Sequence, residues 1–420
     1  MNTNKFGFLR ESIESIFTRG ISILTKFILI GILVKELSLP DYGNYQLVSY
    51  FVLLSTTIFG FEYYNITNRT IVSLKNKSII YSHHFSLFFT LLSILLLIQG
   101  ITFYMVLPSE LTSFKIYFIV LTICLCDYLS QEVYRYLMIN KQFRKANLLL
   151  IYKSFFLLTF VLTFKYVFRY LDFFTIIILM LLAHLMLLVF ALVIFNNTLL
   201  NLDRIRFKKL SYRRIKKIFI KLTPFLTLII FVKGIEFSDK FIIGKTLGSK
   251  DAGIYSFLYT IGSIINIFVV SGFYLIYLPE LIQKFNFNKK GFKKLMIKFS
   301  KLNIGFSLLM VFLIKITEEF LIHLTGKLEL LEYTNMLTYI LIGFVFWNTS
   351  LIPHIFLYIS NNEKVLMYIT GLAFIVNVSS TFYLINLYGV FGVALSFVIT
   401  YFFMLLCKSY ISYRIWKRVI

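Results

Sequence analysis

The sequence predicts an all-α, polytopic membrane protein of about twelve transmembrane helices arranged as two six-helix bundles. Three observations carry that prediction. First, 59% of the 420 residues are hydrophobic and 19% aromatic, well above the roughly 45–50% apolar content of soluble domains. Second, apolar runs of about 20 residues, each long enough to span a bilayer, recur from end to end. Third, Lys and Arg concentrate in every second connection between those runs. Helices are the expected spanning element, because a segment in hydrocarbon must satisfy its own backbone and these runs are too long for barrel strands.

In chain order, a charged leader, "MNTNKFGFLRESIESIFTRG", precedes the first span at 12–34 and is polar for too long to read as a signal peptide. The turn "LSLPDYG" then opens the second span, 44–68. There Pro40 suits the residues just before a helix start, Asp41 is expected to cap free N–H groups, and Gly43 permits a tight corner. The basic connection "RTIVSLKNK" leads to 79–106, "LPSELTSFK" to 113–138, "NKQFRKAN" to 147–169, and a short turn to 172–196. The second half starts with 222–246, turns at "GKTLGSKDAGIYSF" into 252–278, and passes "QKFNFNKKGFKKLMIKFSK" into 296–316. It continues through "TEEFLIHLTGKLELLEY" to 334–360, then "NNEK", 363–386 and 388–413.

Of the 43 Lys and Arg, about 29 fall on one side of this alternation and about 8 on the other, which by the positive-inside rule makes both termini and every basic connection cytoplasmic. The formal charge of +24 therefore reads as topology and headgroup contact, and no nucleic-acid partner is needed to explain it. Residues 203–221 form a long basic, amphipathic stretch at the midpoint of the chain. The expected organisation is a bundle at 1–200, a surface-lying linker at 201–221 and a bundle at 222–420. Cys124, Cys126 and Cys407 lie inside apolar runs, odd in number and without ligand spacing, so neither a disulfide framework nor a zinc site is expected.

An internal repeat supports the two halves. With an offset of 210 residues, Lys35, Leu37, Asp41, Gly43 and Tyr45 fall on Lys245, Leu247, Asp251, Gly253 and Tyr255. Both copies occupy the outer turn after the first helix of a half.

In position and wording, "LSLPDYGNYQLV" resembles the outer turn between the first two helices of the bacterial polysaccharide repeat-unit flippases (Wzx-type), within the multidrug/oligosaccharidyl-lipid/polysaccharide exporter superfamily. "SDKFIIGKTLGSKDAGIYSF" is similar to that family's seventh helix and following turn, and "NLYGVFGVALSFVITYF" to its last helix. The resemblance implies flipping of an undecaprenyl-pyrophosphate-linked oligosaccharide, an O-antigen or capsule repeat unit, across the inner membrane by alternating access. It also implies a setting among membrane lipids, a polysaccharide polymerase and glycosyltransferases. Two alternatives stay open: a cation-coupled multidrug exporter of the same superfamily, and a membrane polysaccharide polymerase.

Ionisable residues in spans are costly and normally face protein or a wet cavity. The first helix carries Arg19 and Lys26 on one face, and the seventh carries Lys233, Glu236, Asp239 and Lys240. Arg19, Lys26, Lys233 and Lys240 are the candidates for holding a pyrophosphate, since Arg forms forked bonds with phosphate oxygens. Glu62, Asp127, Glu236 and Asp239 are the candidates for ion coupling. Asp127 is expected to neutralise Arg135, as is Glu132, while Arg135 and Lys153 snorkel and His184 packs as a satisfied core residue. No Walker loop, His-Glu-x-x-His, Gly-x-Ser-x-Gly or CxxC pair occurs. A non-enzymatic carrier without cofactor or metal, driven by an ion or substrate gradient, is therefore expected.

Overall fold

The computed structural model describes residues 3–60, 78–140, 142–198 and 212–419. Those residues are almost wholly helical and include no strand. We number the long helices α1 (Thr3–Glu36), α2 (Leu39–Gly60), α3 (Ser78–Val106), α4 (Phe114–Ile139), α5 (Phe143–Phe168) and α6 (Phe173–Thr198). There follow α7 (Tyr212–Thr246), α8 (Ser249–Phe287), α9 (Lys289–Thr325), α10 (Thr334–Ile359), α11 (Glu363–Tyr388) and α12 (Val390–Val419). By length and apolar composition eight of the described helices qualify as membrane spans, and the bent α7 makes nine. Large apolar side chains such as Leu97, Met105, Phe312 and Tyr383 stay more than 60% exposed. In water such a surface would drive association, whereas hydrocarbon solvates it without penalty.

Several boundaries differ from expectation for identifiable reasons. The basic stretch before the ninth span is helical, because Asn288 caps α9 through its side-chain oxygen, which accepts from Gly291 N–H at 2.8 Å. Its far end stops at Gly326, whose φ of 69° is the left-handed conformation that glycine adopts freely. α8 runs on to Phe287 through a π-turn at Val270–Tyr274. Of the expected linker, 201–211 lies outside the described residues, and 212–221 forms the first turns of α7. The last part of the expected second span, 61–68, also lies outside them.

The paired corners coincide in detail. α1 ends at Glu36 and α7 at Thr246, while α2 begins at Leu39 and α8 at Ser249, each pair 210 residues apart. The capping chemistry departs from expectation, since Ser38 rather than Asp41 caps α2. Asp41 N–H donates to Ser38 Oγ at 3.2 Å, and that hydroxyl donates back to Asp41 Oδ2 at 2.7 Å. Ser38 thus takes one free N–H of the first turn, and Asp41 orients the capping hydroxyl without reaching the Ser38 N–H as a full capping box would. In the second copy the cap position is Gly248, with φ 94° and no side-chain bond.

The chain divides into two compact units, Met1–Leu226 and Thr227–Ile420. In the first, α4 packs on α2 and α6, and α5 on α1 and α6. Its core includes Val133, Tyr136 and Leu137 of α4 against Leu149, Leu187 and Phe195. α1 and α5 are joined by a Ser22–Ser154 hydroxyl contact of 2.9 Å and by the Lys165–Glu36 ion pair nearer their ends. In the second unit α12 lies against α10 and α11, and α8 and α9 pack on α10 and on each other, each also reaching α12 through a ring contact, Tyr259–Phe397 and Phe292–Trp416. Close approach there requires glycine: a Cβ on Gly343 of α10 would lie 2.2 Å from the Phe397 ring of α12.

Candidate functional site

Within the first unit, three helices converge on Asp127. Its position on α4 is fully buried, and its neighbours along one face, Gln131 and Arg135, follow at one-turn intervals. Gln131 Nε2 donates to Asp127 Oδ2 at 2.8 Å, while Lys153 of α5 forms an ion pair with Oδ1. The third contributor is His184 of α6, whose Nε2 stands 3.8 Å from Oδ1, too far for a hydrogen bond. His184 Nδ1 lies 2.8 Å from the Met180 carbonyl, which fixes the proton on Nδ1 and turns the other ring nitrogen towards the carboxylate. One turn along α4, Arg135 pairs with Glu132.

Asp127, Gln131, Arg135 and Lys153 line a pocket of about 250 Å³ between α4, α5 and α6, together with Leu149, Leu150 and Leu187. Its charge is arranged by depth. The side chains of Lys153 and Arg135 are 34% and 24% exposed, whereas those of Asp127 and Glu132 are 0% and 1% exposed. In each pair the carboxylate is the more enclosed member, and the pocket lining holds both cations, Arg135 and Lys153, with one carboxylate, Asp127. Such a pocket accepts hydrogen-bonding anions more readily than cations.

The second unit carries a closed counterpart on α7. Asp239 and Lys240 are both buried and ion-paired at 2.9 Å. Lys240 Nζ also donates to the Glu236 carbonyl at 2.6 Å and sits 3.7 Å above the Tyr259 ring. Tyr255 of α8 donates its hydroxyl proton to Asp239 Oδ2 at 2.7 Å. Every strong valence of the pair is satisfied internally, the condition for burying charge at low cost. Lys233 and Glu236, a turn earlier, pair at 2.6 Å with both side chains partly exposed. From α7 a polar thread continues through Ser238 to Asn377 of α11 at 2.8 Å and on to Thr400 of α12 at 3.3 Å.

Of the residues singled out in the sequence, Asp127, Lys233, Glu236, Asp239 and Lys240 thus fall into these two clusters. Lys26 is on α1 with an exposed side chain, and Arg19 lies on the same helix with its side chain outside the described residues. Glu62 also lies outside them. Two expectations change. Asp127 is neutralised by Lys153 of another helix and not by Arg135 of its own, so Lys153 is an ion-pair partner and does not snorkel. The Arg135–Glu132 pair forms as expected, and Lys233 pairs with Glu236 three residues on. Sequence spacing found the pairs within a helix; the pair between helices had no local signal, because 26 residues separate its members. Tyr255 was visible only as a repeat identity, and its carboxylate partner was not.

No protein-family model matches the sequence, and no curated protein matches it. Solved structures do. The chain is similar to the lipid II flippase MurJ in an inward closed conformation, with TM-score 0.70 and 14% identity over 96% of this chain and 87% of that one. It is similar to an inward-facing multidrug resistance MATE transporter of the MOP superfamily, with TM-score 0.65 and 11% identity over 96% and 94%. A MOP superfamily transporter from Pyrococcus furiosus, described by the reverse polarity of its binding pocket, matches with TM-score 0.60 and 13% identity over 98% and 95%. The chain therefore has the polytopic fold of MOP-superfamily transporters.

Proposed function

We propose that this protein is a membrane transporter that flips an undecaprenyl-pyrophosphate-linked oligosaccharide repeat unit from the cytoplasmic to the periplasmic leaflet of the bacterial inner membrane. The observation that carries the reading is the pocket at Asp127, whose lining holds two partly exposed cations, Arg135 and Lys153, and one buried carboxylate. An anionic phosphate ligand in this pocket finds two cations against one carboxylate, and Arg135 offers it a forked pair of donors. The likeness to a lipid II flippase supports the lipid-linked substrate class, and the O-antigen or capsule assignment rests on the sequence resemblance at "LSLPDYGNYQLV".

In this reading residues 1–200 and 222–420 alternate between two states, and the substrate drives the change by binding them unequally. Beside Arg135 and Lys153, Arg19, Lys26 and Lys233 are the proposed basic contacts, with Glu62, Asp127, Glu236 and Asp239 as ion-coupling groups; the fourth basic candidate, Lys240, is withdrawn from a ligand by its buried pair with Asp239. Both termini are cytoplasmic, and the polymerase and glycosyltransferases of polysaccharide assembly are the proposed partners.

The test is a deletion strain. Lipid-linked single repeat units accumulate in the inner leaflet, and the wild-type gene restores surface polysaccharide while Arg19→Ala and Lys26→Ala do not, although both variants insert. Normal polysaccharide in both variants removes those residues from the site. Accumulation in the outer leaflet points instead to a polymerase. A second reading, cation-coupled export of drugs, is favoured by the MATE neighbours and by the buried Asp127 beside His184. Under it the deletion strain becomes drug-sensitive and its polysaccharide stays normal.

A further inference from the structure

Helix α9 changes character abruptly along its exposed side. Its buried side is fixed by Phe292, Met296, Phe299, Asn303 and Ser307, which recur every three or four residues. Phe292, Met296 and Phe299 pack with Phe356 of α10, and Asn303 donates to the Asn348 carbonyl at 3.0 Å. On the opposite side Lys294, Lys298 and Lys301 recur at the same spacing, all exposed. The row then continues as Gly305, Leu308, Phe312 and Ile316, the last three being 54%, 62% and 63% exposed.

The charge of this row has no counterpart nearby in the chain. No Asp or Glu occurs between Glu280 and Glu318, and Glu280 is paired with Lys284 at 2.6 Å. From Leu302 to Ile314, in turn, there is no charged residue at all. A helix face that passes from lysine to bare hydrocarbon within one or two turns marks the edge of the apolar layer, with the ammonium groups at headgroup level. Lys294 to Lys301 rises about 10 Å, which flexible lysine stems can gather into a headgroup layer of about 5–8 Å. Lys289, Lys290 and Lys293 stand about 12–18 Å from Lys301 along the helix, and Lys289 is seated on the Phe285 ring at 3.7 Å. Directly below the lysines the row is open, because a Cβ on Gly305 would meet nothing within 4 Å.

We propose that this row of α9 is a binding site for an anionic phospholipid, with the phosphate among Lys294, Lys298 and Lys301 and an acyl chain running over Gly305 onto Leu308, Phe312 and Ile316. Three cations with no carboxylate beside them select the anionic headgroup, and the continuous apolar row below selects a lipid over a soluble anion or an acidic peptide.

The chain has only two tryptophans, so Phe312→Trp adds a reporter on the row and the parent protein supplies the blank. Purified Phe312→Trp protein in detergent, at about 150 mM salt to screen distant charges, is titrated with brominated phosphatidylglycerol or brominated phosphatidylcholine. Phosphatidylglycerol is expected to quench the added tryptophan with an affinity about tenfold above that of phosphatidylcholine. In the same background Lys294→Gln/Lys298→Gln/Lys301→Gln makes the two lipids equal, while arginine at the three positions keeps the preference. Lys289→Gln/Lys290→Gln/Lys293→Gln removes the same charge further from the apolar row and also keeps it. Equal quenching by the two lipids before the lysines are changed, a preference that survives the first glutamine triple, or an equal loss in the second overturns the proposal. Displacement of the brominated lipid by millimolar sodium phosphate, or by poly-glutamate, overturns the lipid assignment in favour of a free anion or an acidic protein segment. All the substituted lysines are exposed, so folding is retained, and the assay contains no oligosaccharide, so its outcome is independent of the transport substrate proposed above.

Discussion

Replacing Lys240 by Met tests whether the buried pair on α7 holds the second unit together. The substitution leaves Asp239, itself 1% exposed, with two remaining partners: the Tyr255 hydroxyl at 2.7 Å and the Lys240 backbone N–H at 2.8 Å. Breaking a buried ion pair from one side costs about 3–5 kcal/mol, because a charge stays behind without its counterion. The two retained hydrogen bonds put Lys240→Met near the lower end, about 3 kcal/mol. Asp239→Asn leaves the ammonium without its counterion, beside the Glu236 carbonyl and the Tyr255 and Tyr259 rings, and is expected to cost about 3–5 kcal/mol. The double variant Asp239→Asn/Lys240→Met removes both charges and keeps an acceptor for Tyr255, so its loss should shrink to about 1–2 kcal/mol, well under the sum of the single losses. Reversible unfolding in mixed detergent micelles, read by tryptophan fluorescence and far-UV dichroism, supplies the four free energies of the cycle. A Lys240→Met loss below about 1 kcal/mol, or single and double losses that simply add, refutes the reasoning.

Gly343→Ala should cost about 1–3 kcal/mol, since its methyl would meet the Phe397 ring. Gly305→Ala on α9, where nothing lies within 4 Å, should be neutral or stabilising by up to about 1 kcal/mol in the same unfolding assay. Ser38→Ala removes the α2 cap and is expected to cost about 1 kcal/mol, while Gly248→Ala, forced to φ 94°, loses a similar amount by backbone strain. In the first unit, Lys153→Met should lose about 2 kcal/mol, a value reduced by the partial exposure of the lysine, and Asp127→Asn in the same chain should restore most of it. Additive losses at positions 127 and 153 in that cycle show that the two groups are not coupled.

The sequence made the helices and their order legible because each is a single periodic apolar run, and a spanning run has few alternative structures. The repeat was also legible, down to the register of its corners, since Lys35, Asp41 and Tyr45 recur at a constant offset. What could not be read was which charge meets which across helices. Lys153 sits three turns into α5 with no neighbour along the chain to identify its partner, and only the packing of α5 against α4 brings it to Asp127. The cap at α2 was misassigned because Ser38 and Asp41 are both good cap residues and only backbone geometry decides which precedes the first turn.

The matched corners also record how the two copies have drifted apart. At the offset that aligns Tyr45 with Tyr255, Asp239 and Lys240 fall on Leu29 and Ile30, both buried. The first copy thus keeps the tyrosine without the acid it would serve, filling the same interior place with hydrocarbon. One ancestral position has been settled twice, once by oil and once by salt. The second half is consequently bound to a chemistry that fails if either charge is lost singly, while the first is free to vary one methyl group at a time. Substitutions should therefore accumulate at different tempos in the two copies, fast and singly at positions 29 and 30, rarely and in pairs at 239 and 240.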